Sequence, residues 1–189
     1  MKKIILFLFI LNTFQLYAEE NINDFQIEGL NIEESALDYF SENEIKASTQ
    51  NFKYKNNDFI PVGISKNLKI YDNIQFYYKD VPSKPIYVIS GIIYFENNIE
   101  ACLKKKEEVI LDLRKVFKIV KEEDLGVIKN EYDKSGKSTK TNYRFNFKNG
   151  DYILIACYDW SKKTKFKDHL RVAIVKKDFD HWIYNVANK

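Results

Sequence analysis

The chain has 189 residues, of which 45% are hydrophobic and 30% are charged, a composition typical of a single globular domain rather than of a disordered segment. Its 30 basic and 27 acidic residues give a formal net charge of +3, which is too balanced for a protein that coats nucleic acid. Two cysteines are too few for a disulfide scaffold or a four-thiolate zinc site.

Residues 1–18 have the layout of a secretory signal peptide. A positively charged start precedes an apolar run over residues 4–10, and Ala18 precedes an acidic pair. We expect cleavage after Ala18, leaving one globular domain over residues 19–189 that is periplasmic or secreted. The alternative, a membrane anchor, is disfavoured because the apolar run is short and interrupted, so we expect no stable membrane insertion after cleavage.

Export changes the interpretation of Cys102 and Cys157, because disulfide bonds persist in oxidising compartments. The two residues do not form a C-x-x-C pair, and no His or Asp spacing around them indicates a nucleophile or a metal ligand. We predict that they form a disulfide bond, with two separately buried thiols as the alternative.

The first predicted element is a helix. Residues 31–34 and 41–44 each have the form of a capping box, so the pattern predicts a helix from 31 to about 47, with a kink or restart at the second box. Residues 48–58 are polar and predict an irregular strand.

Two strands and a long helix follow. Residues 70–80 alternate, with Tyr77 on the face opposite the apolar side chains, and residues 86–95 are apolar on both faces, as in a central strand. The next helix is predicted from Asn97 or Asn98 to about Lys121. Its apolar stripe is interrupted only by Lys106 and contains Cys102, Val109, Leu113, Val116, Phe117 and Val120.

The rest of the chain predicts three strands and a short closing helix. Residues 141–148 and 151–158 flank Asn149-Gly150, which is typical of a type I′ hairpin turn, and residues 170–175 form the third strand. The predicted fold class is α+β, in the order α-β-β-α-β-β-β-α. We expect an antiparallel sheet of about five strands, with the long helix and the shorter terminal helices on one face.

Three stretches carry a resemblance to a known family: FQIEGLNIEESALDYFSENEI (25–45), NNIEACLKKKEEV (97–109), and KNGDYILIACYDWS with DHLRVAI (148–174). They resemble small exported proteins of marine alphaproteobacteria with small genomes. The resemblance covers most of the mature chain and implies export and a single domain. It transfers no catalytic or binding residue.

Two patterns point weakly to catalysis. Residues 136–139, Gly-Lys-Ser-Thr, end like a phosphate-binding loop, but Glu131 stands where that motif needs a glycine, and we interpret them as a flexible polar turn. His169 and His181 are the only histidines, and neither has the spacing of a metal ligand pair. We therefore expect no metal and no cofactor, and we assign no catalytic residue.

Residues 158–171 are the most distinctive segment, because four lysines in six residues lie beside Trp160 and Phe166 on a predicted loop. Such a loop provides aromatic contact area and attracts anions, although lysines also serve to keep sheet edges soluble. Tyr77 and Arg144 are expected on the sheet face without helices. The candidate binding residues are Tyr77, Arg144, Trp160, Lys162, Lys163, Lys165, Phe166, His169 and Arg171.

These observations favour an exported, non-catalytic protein that binds a protein partner or a small anionic ligand through the loop and the open sheet face. Nucleic acid is not an expected partner. Two alternatives remain: a hydrolase of envelope material with His169 as base and Asp159 or Asp168 orienting it, and a peripheral protein of anionic membrane surfaces.

Overall fold

The computed structural model describes residues 21–52, 54–118, 120–187 and 189, so the predicted signal peptide lies outside the described residues. Within them, seven strands form one antiparallel sheet. They are β1 (Phe59–Ile64), β2 (Asn73–Lys79), β3 (Ile86–Tyr94), β4 (Lys121–Lys129), β5 (Thr139–Asn146), β6 (Tyr152–Asp159) and β7 (His169–Val175). The order across the sheet is β1-β2-β3-β7-β6-β5-β4. The α+β class with an antiparallel sheet is confirmed, and the expectation of about five strands is wrong.

Three α-helices accompany this sheet in the described part of the chain: α1 (Glu42–Ser48), α2 (Ile99–Val116) and α3 (Lys177–Asn185). The second predicted capping box is confirmed, because the Ser41 and Glu44 side chains cap each other's backbone at the start of α1. The first is wrong. Ser35 and Asp38 instead cap a single 3-10 turn, Ala36–Asp38.

The long helix α2 connects strand β3 to strand β4, which lies at the other edge of the sheet. It begins after Asn98, whose side chain accepts a hydrogen bond from the Ala101 N–H, and leads from β3 to the far edge strand β4. Strands β4 to β7 then return as consecutive hairpins until β7 pairs with β3. None of the described helices is both long and apolar enough to cross a bilayer.

We call the sheet face under α2 the helix face. It holds the larger core, and its rows include Ile74 and Phe76 of β2, Phe145 of β5 and Ile155 of β6. A disulfide bond joins Cys102 of α2 to Cys157 of β6, with the two Cα atoms 6.0 Å apart. The predicted pairing and the predicted packing of the long helix are therefore both confirmed.

The closing helix α3 packs on the opposite face, where Phe179 and Trp182 lie in a second apolar cluster with Phe59 and Val88. Successive strand residues point to opposite faces, and Val175 belongs to this cluster while Ile174 belongs to the helix-face core. The expectation that all helices lie on one face is wrong. An amphipathic pattern shows that a helix has an apolar side but not which sheet face receives it.

Two edge strands depart from the predicted elements. Residues 121–129 form β4 where the long helix was expected to end, and this strand is exposed along almost its whole length. Residues 59–64 form β1, which no pattern predicted. The hairpin at Asn149-Gly150 is confirmed, but among the described residues there only Gly150 has a positive φ, 92°, so the turn is not type I′.

Candidate functional site

The sheet face opposite α2 has a polar centre, which we call the arginine face. It is formed by Gln75, Ser90, Asn142, Arg144, Leu154, Ala156, Tyr158, His169, Arg171 and Ala173. In the register, Ala156 pairs with Arg171 and Leu154 pairs with both Arg144 and Ala173. Alanine and leucine side chains therefore lie between the two arginine side chains, and α3 covers the neighbouring end of the face.

Arg171 is held by neutral partners. One terminal nitrogen donates to Ser90 Oγ at 3.2 Å and the other to Gln75 Oε1 at 2.8 Å. Gln75 in turn donates to Gln50 Oε1 at 3.0 Å. The Nε of Arg171 is buried and has no hydrogen-bond partner among the described residues. The guanidinium is thus fixed in position while its charge has no anionic neighbour within ion-pair distance in that part of the chain.

Arg144 lies over an aromatic ring, with its Cζ 4.4 Å from the centre of the Tyr152 ring. Its Nε is also buried and unpaired, and the described residues offer its guanidinium no ion pair. Arg114, the third arginine of the chain, differs because it contacts the Glu122 carboxylate at 2.8 Å and Tyr143 Oη at 2.7 Å. Among the described residues, both arginines of the arginine face therefore lack the counter-charge that Arg114 has.

Tyrosines surround this pair of cations. Tyr77 does lie on this face, but it packs against Phe179 of α3, with ring centres 4.7 Å apart, and its hydroxyl is 3.4 Å from that of Tyr54. Burial, followed by the hydrogen bond with Tyr54, raises the pKa of Tyr77. In the loop after β4, burial raises the pKa of Tyr132 to about 12, followed by the nearby charges of Glu131 and of other tyrosines, among them Tyr54 and Tyr158. The face at Tyr77 is thus covered by α3, and the half-buried Arg144 and Arg171 lie farther along the same face.

The loop between β6 and β7 continues the arginine face with aromatic rings. Tyr158 stacks on His169 at 4.6 Å, and Trp160 lies 6.0 Å from Tyr158 and 4.5 Å from Phe166. Arg171 approaches the Tyr158 ring, with its Cζ 5.8 Å from the ring centre. The aromatic residues predicted for binding are therefore brought together with Arg171 in one continuous surface.

The predicted lysines lie on the outside of this loop. Lys162, Lys163 and Lys165 are exposed, and Phe166 is exposed over 64% of its surface. The loop itself is fixed at its base, because the Asp168 carboxylate accepts the Trp160 N–H at 2.7 Å. The structure thus places the lysines beside the aromatic surface but does not bring them to Arg144.

His169 is buried and neutral in character. Its Nδ1 lies 2.9 Å from the carbonyl oxygen of Lys167, so the ring proton is on Nδ1, and its Nε2 is buried without a partner among the described residues. Burial, with a further contribution from the charge of Arg171, lowers the pKa of His169 to about 4. Neither Asp159 nor Asp168 hydrogen-bonds to the ring in the described part of the chain, so the geometry does not reproduce an orienting carboxylate.

Residues 130–138 form a turn held by side-chain hydrogen bonds. The buried Asp133 carboxylate accepts hydrogen bonds from the backbone and hydroxyl groups of Ser135 and Ser138, which lower its pKa. Ser138 Oγ also accepts the Ser161 N–H at 2.9 Å, which ties this turn to the β6–β7 loop. An internal carboxylate therefore uses the donors that a bound phosphate would need.

Sequence reasoning found the arginines and the aromatic loop but missed the neutral groups that position them. Gln50, Gln75 and Ser90 are ordinary polar residues, and only the strand register shows that they meet Arg171. Tyr54 and Tyr132 come from loops whose course has no sequence signal. No described group of three or more His, Cys, Asp or Glu side chains has the arrangement needed to hold a metal ion.

In comparisons with known proteins, no family model, no curated protein and no solved structure matches the chain.

Proposed function

We propose that this protein is an exported binding protein whose arginine face takes a small anion of the phosphate or carboxylate type. The observation that carries the proposal is the pair of half-buried guanidinium groups, Arg144 and Arg171, whose Nε atoms are buried and unpaired and which have no carboxylate partner in the described residues. A partly desolvated charge without a counter-charge is unfavourable, and an anion would offset that cost.

The chemistry of the two guanidinium groups supports an anion of this shape. Arginine presents several N–H donors in a planar fork that matches the oxygens of phosphate or carboxylate. Arg171 is already oriented by Ser90 and Gln75, so little side-chain freedom is lost when a ligand binds. Arg144 has no hydrogen bond to a described residue, and its terminal nitrogens are available to a ligand.

Export is the second component of the proposal. It is supported by the layout of residues 1–18 and by the Cys102–Cys157 bond, because structural disulfides are characteristic of oxidising compartments. Intact mass spectrometry of protein recovered from a bacterial periplasm tests it. A mature chain beginning at Glu19 is expected, and one that still begins at Met1 would contradict export.

The binding component is tested by NMR of the arginine Nε–H groups during titration with sodium phosphate and, separately, with citrate. The chain contains three arginines, so each resonance is assignable by single substitution. The resonances of Arg144 and Arg171 are expected to shift and saturate. The Arg114 resonance should not shift, because the Arg114 Nε–H already donates to the Glu122 carboxylate.

Substitution then separates a specific site from general attraction to lysines. Arg144→Met and Arg171→Met are expected to abolish the saturable shifts, and Arg114→Met is the matched control that keeps them. Shifts that survive both variants, or that vanish in Lys162→Glu with Lys163→Glu instead, would contradict the proposal. Binding only to vesicles containing anionic lipid would favour the membrane-surface alternative.

A further inference from the structure

A depression lies at the β6–β7 loop, beyond the arginines of the arginine face. It has a volume of about 350 Å³ and is bounded by the β6–β7 loop on one side and by Glu96 and Asn97, just before α2, on the other. Trp160 and Phe166 contribute its aromatic surface, and Asp168 and Thr164 contribute polar groups. The depression lies in the loop predicted to bind, and its lining combines aromatic, acidic, basic and neutral polar side chains. Such a lining suits a different ligand from the small anion proposed for the arginine face.

The charges of this lining cancel. Two carboxylates, Glu96 and Asp168, and two ammonium groups, Lys162 and Lys167, border the depression, and Lys167 forms an ion pair with Glu96. A small anion therefore gains no net attraction there, in contrast to the arginine face. The same lining offers both hydrogen-bond donors and acceptors around an aromatic platform.

The acceptor at the base is built in rather than incidental. Asp168 is only 9% exposed, and one of its carboxylate oxygens is fixed by the Trp160 N–H at 2.7 Å. Its backbone carbonyl accepts the Phe95 N–H at 2.8 Å, which holds the two walls of the depression together. Thr164 closes the loop onto the Ser161 carbonyl. The polar groups are thus positioned before any ligand arrives.

We propose that this depression is a binding subsite for a neutral saccharide. A sugar ring has an apolar C–H face that packs on an aromatic ring, and hydroxyl groups that both donate and accept hydrogen bonds. Phe166, which packs on Trp160 with ring centres 4.5 Å apart and is 64% exposed, supplies the ring contact. Asp168 and Asn97 supply acceptors and donors beside it. The subsite is independent of the anion site, because it uses none of the arginines.

The test is NMR of the two tryptophan indole N–H groups of the mature, oxidised protein during titration with N,N′-diacetylchitobiose and with maltose. The chain has two tryptophans, and Trp182 is 3% exposed in the α3 cluster, so its resonance is an internal control. The Trp160 resonance is expected to shift and saturate with at least one of these saccharides, while the Trp182 resonance does not move.

Two matched pairs of variants locate the effect. Phe166→Ala is expected to weaken saccharide binding by about tenfold, a change of about 1.4 kcal/mol, whereas Phe52→Ala, at another exposed aromatic, leaves it unchanged. Lys162→Ala, which changes the lining, weakens binding, and Lys163→Ala, outside the lining, does not. The inference is overturned if neither saccharide moves Trp160, if Phe166→Ala binds normally, or if phosphate or glycine produces the Trp160 shift instead.

Discussion

The two faces of the sheet are built from the same strands but differ in chemistry: one holds the main apolar core, and the other carries two arginines. The helix face is apolar, and α2 is bonded to it covalently through Cys102 and Cys157. The arginine face has two cations that have no counter-charge among the described residues, with the rings of Tyr152 and Tyr158 beside them. The larger apolar core lies on the first face. Buried polar atoms of Asn142, Arg144, His169 and Arg171 lie on the second face without partners among the described residues, as expected where a protein binds a ligand.

The largest expected effect concerns the helix face. Replacing both Cys102 and Cys157 by Ala removes a cross-link that closes a long loop and should lower the free energy of unfolding by about 4 kcal/mol on the chain-entropy model. Urea unfolding of the oxidised wild type and the double variant measures this. Phosphate binding to the variant, measured below its unfolding midpoint, should be unchanged. Loss of binding would show that the two faces are not separable.

On the arginine face, His169 should make stability depend on pH. Its pKa is about 4 when folded, below its ordinary value, so the unfolded chain takes up a proton first as the pH falls. The stabilising effect is complete above the unfolded pKa and is lost as the pH falls from about 6.5 to about 4, amounting to about 3 kcal/mol.

Urea unfolding at a series of pH values checks this in wild type and in His169→Asn, whose amide N–H replaces Nδ1–H as a donor to the Lys167 carbonyl. The variant should have a shallower pH dependence over that interval. The matched control is His181→Asn at an exposed position, which should behave as the wild type does. Identical slopes for His169→Asn and wild type would show that His169 does not titrate abnormally.

Ligand linkage gives the next prediction. Phosphate at about 100 times its Kd should raise the free energy of unfolding of the wild type by about 2.7 kcal/mol, because only the folded state binds it. Arg144→Met should show no such gain and should change the stability of the free protein by less than about 1 kcal/mol, since Arg144 has no ion pair in the described residues. Thermal unfolding with and without phosphate measures both. A severe loss of stability without ligand would mean that Arg144 is structural.

The smallest effect distinguishes the two sides of α2. Val116 belongs to the apolar stripe predicted from spacing, but it is 60% exposed, so Val116→Ala should cost less than about 0.5 kcal/mol. Leu113→Ala, at a position 4% exposed, is the comparison and should cost about 2 to 5 kcal/mol. If both variants lowered the free energy of unfolding equally in chemical unfolding, Val116 would be as buried as Leu113, in contradiction to the structure.

The sequence predicts the helix face far better than the arginine face. Alternation in β2 identifies which of its side chains are buried, and the apolar stripe of α2 predicts that this helix packs on the sheet. Strand β4 escapes prediction because an edge strand exposed on both sides has no alternation, and its charged start resembles a continuing helix. The sequence identifies Arg144 as a face residue from its place in an alternating strand. The sequence does not show that Arg144 lacks an ion-pair partner among the described residues, because that depends on which strands are neighbours.

The crossover of α2 has a consequence for how the chain folds. It divides the sheet into two local meanders, β1–β3 and β4–β7, joined only where β3 pairs with β7, as in Val88 with Val175. Contacts between residues so distant in sequence form slowly, because the entropy of closing the intervening chain is lost before the strand pairing contributes any stability. The Cys102–Cys157 bond lies inside that intervening chain and shortens the path from Tyr94 to His169. Oxidation before the sheet is complete should therefore accelerate the joining of its two halves, so that the bond acts on the folding rate as well as on the folded state.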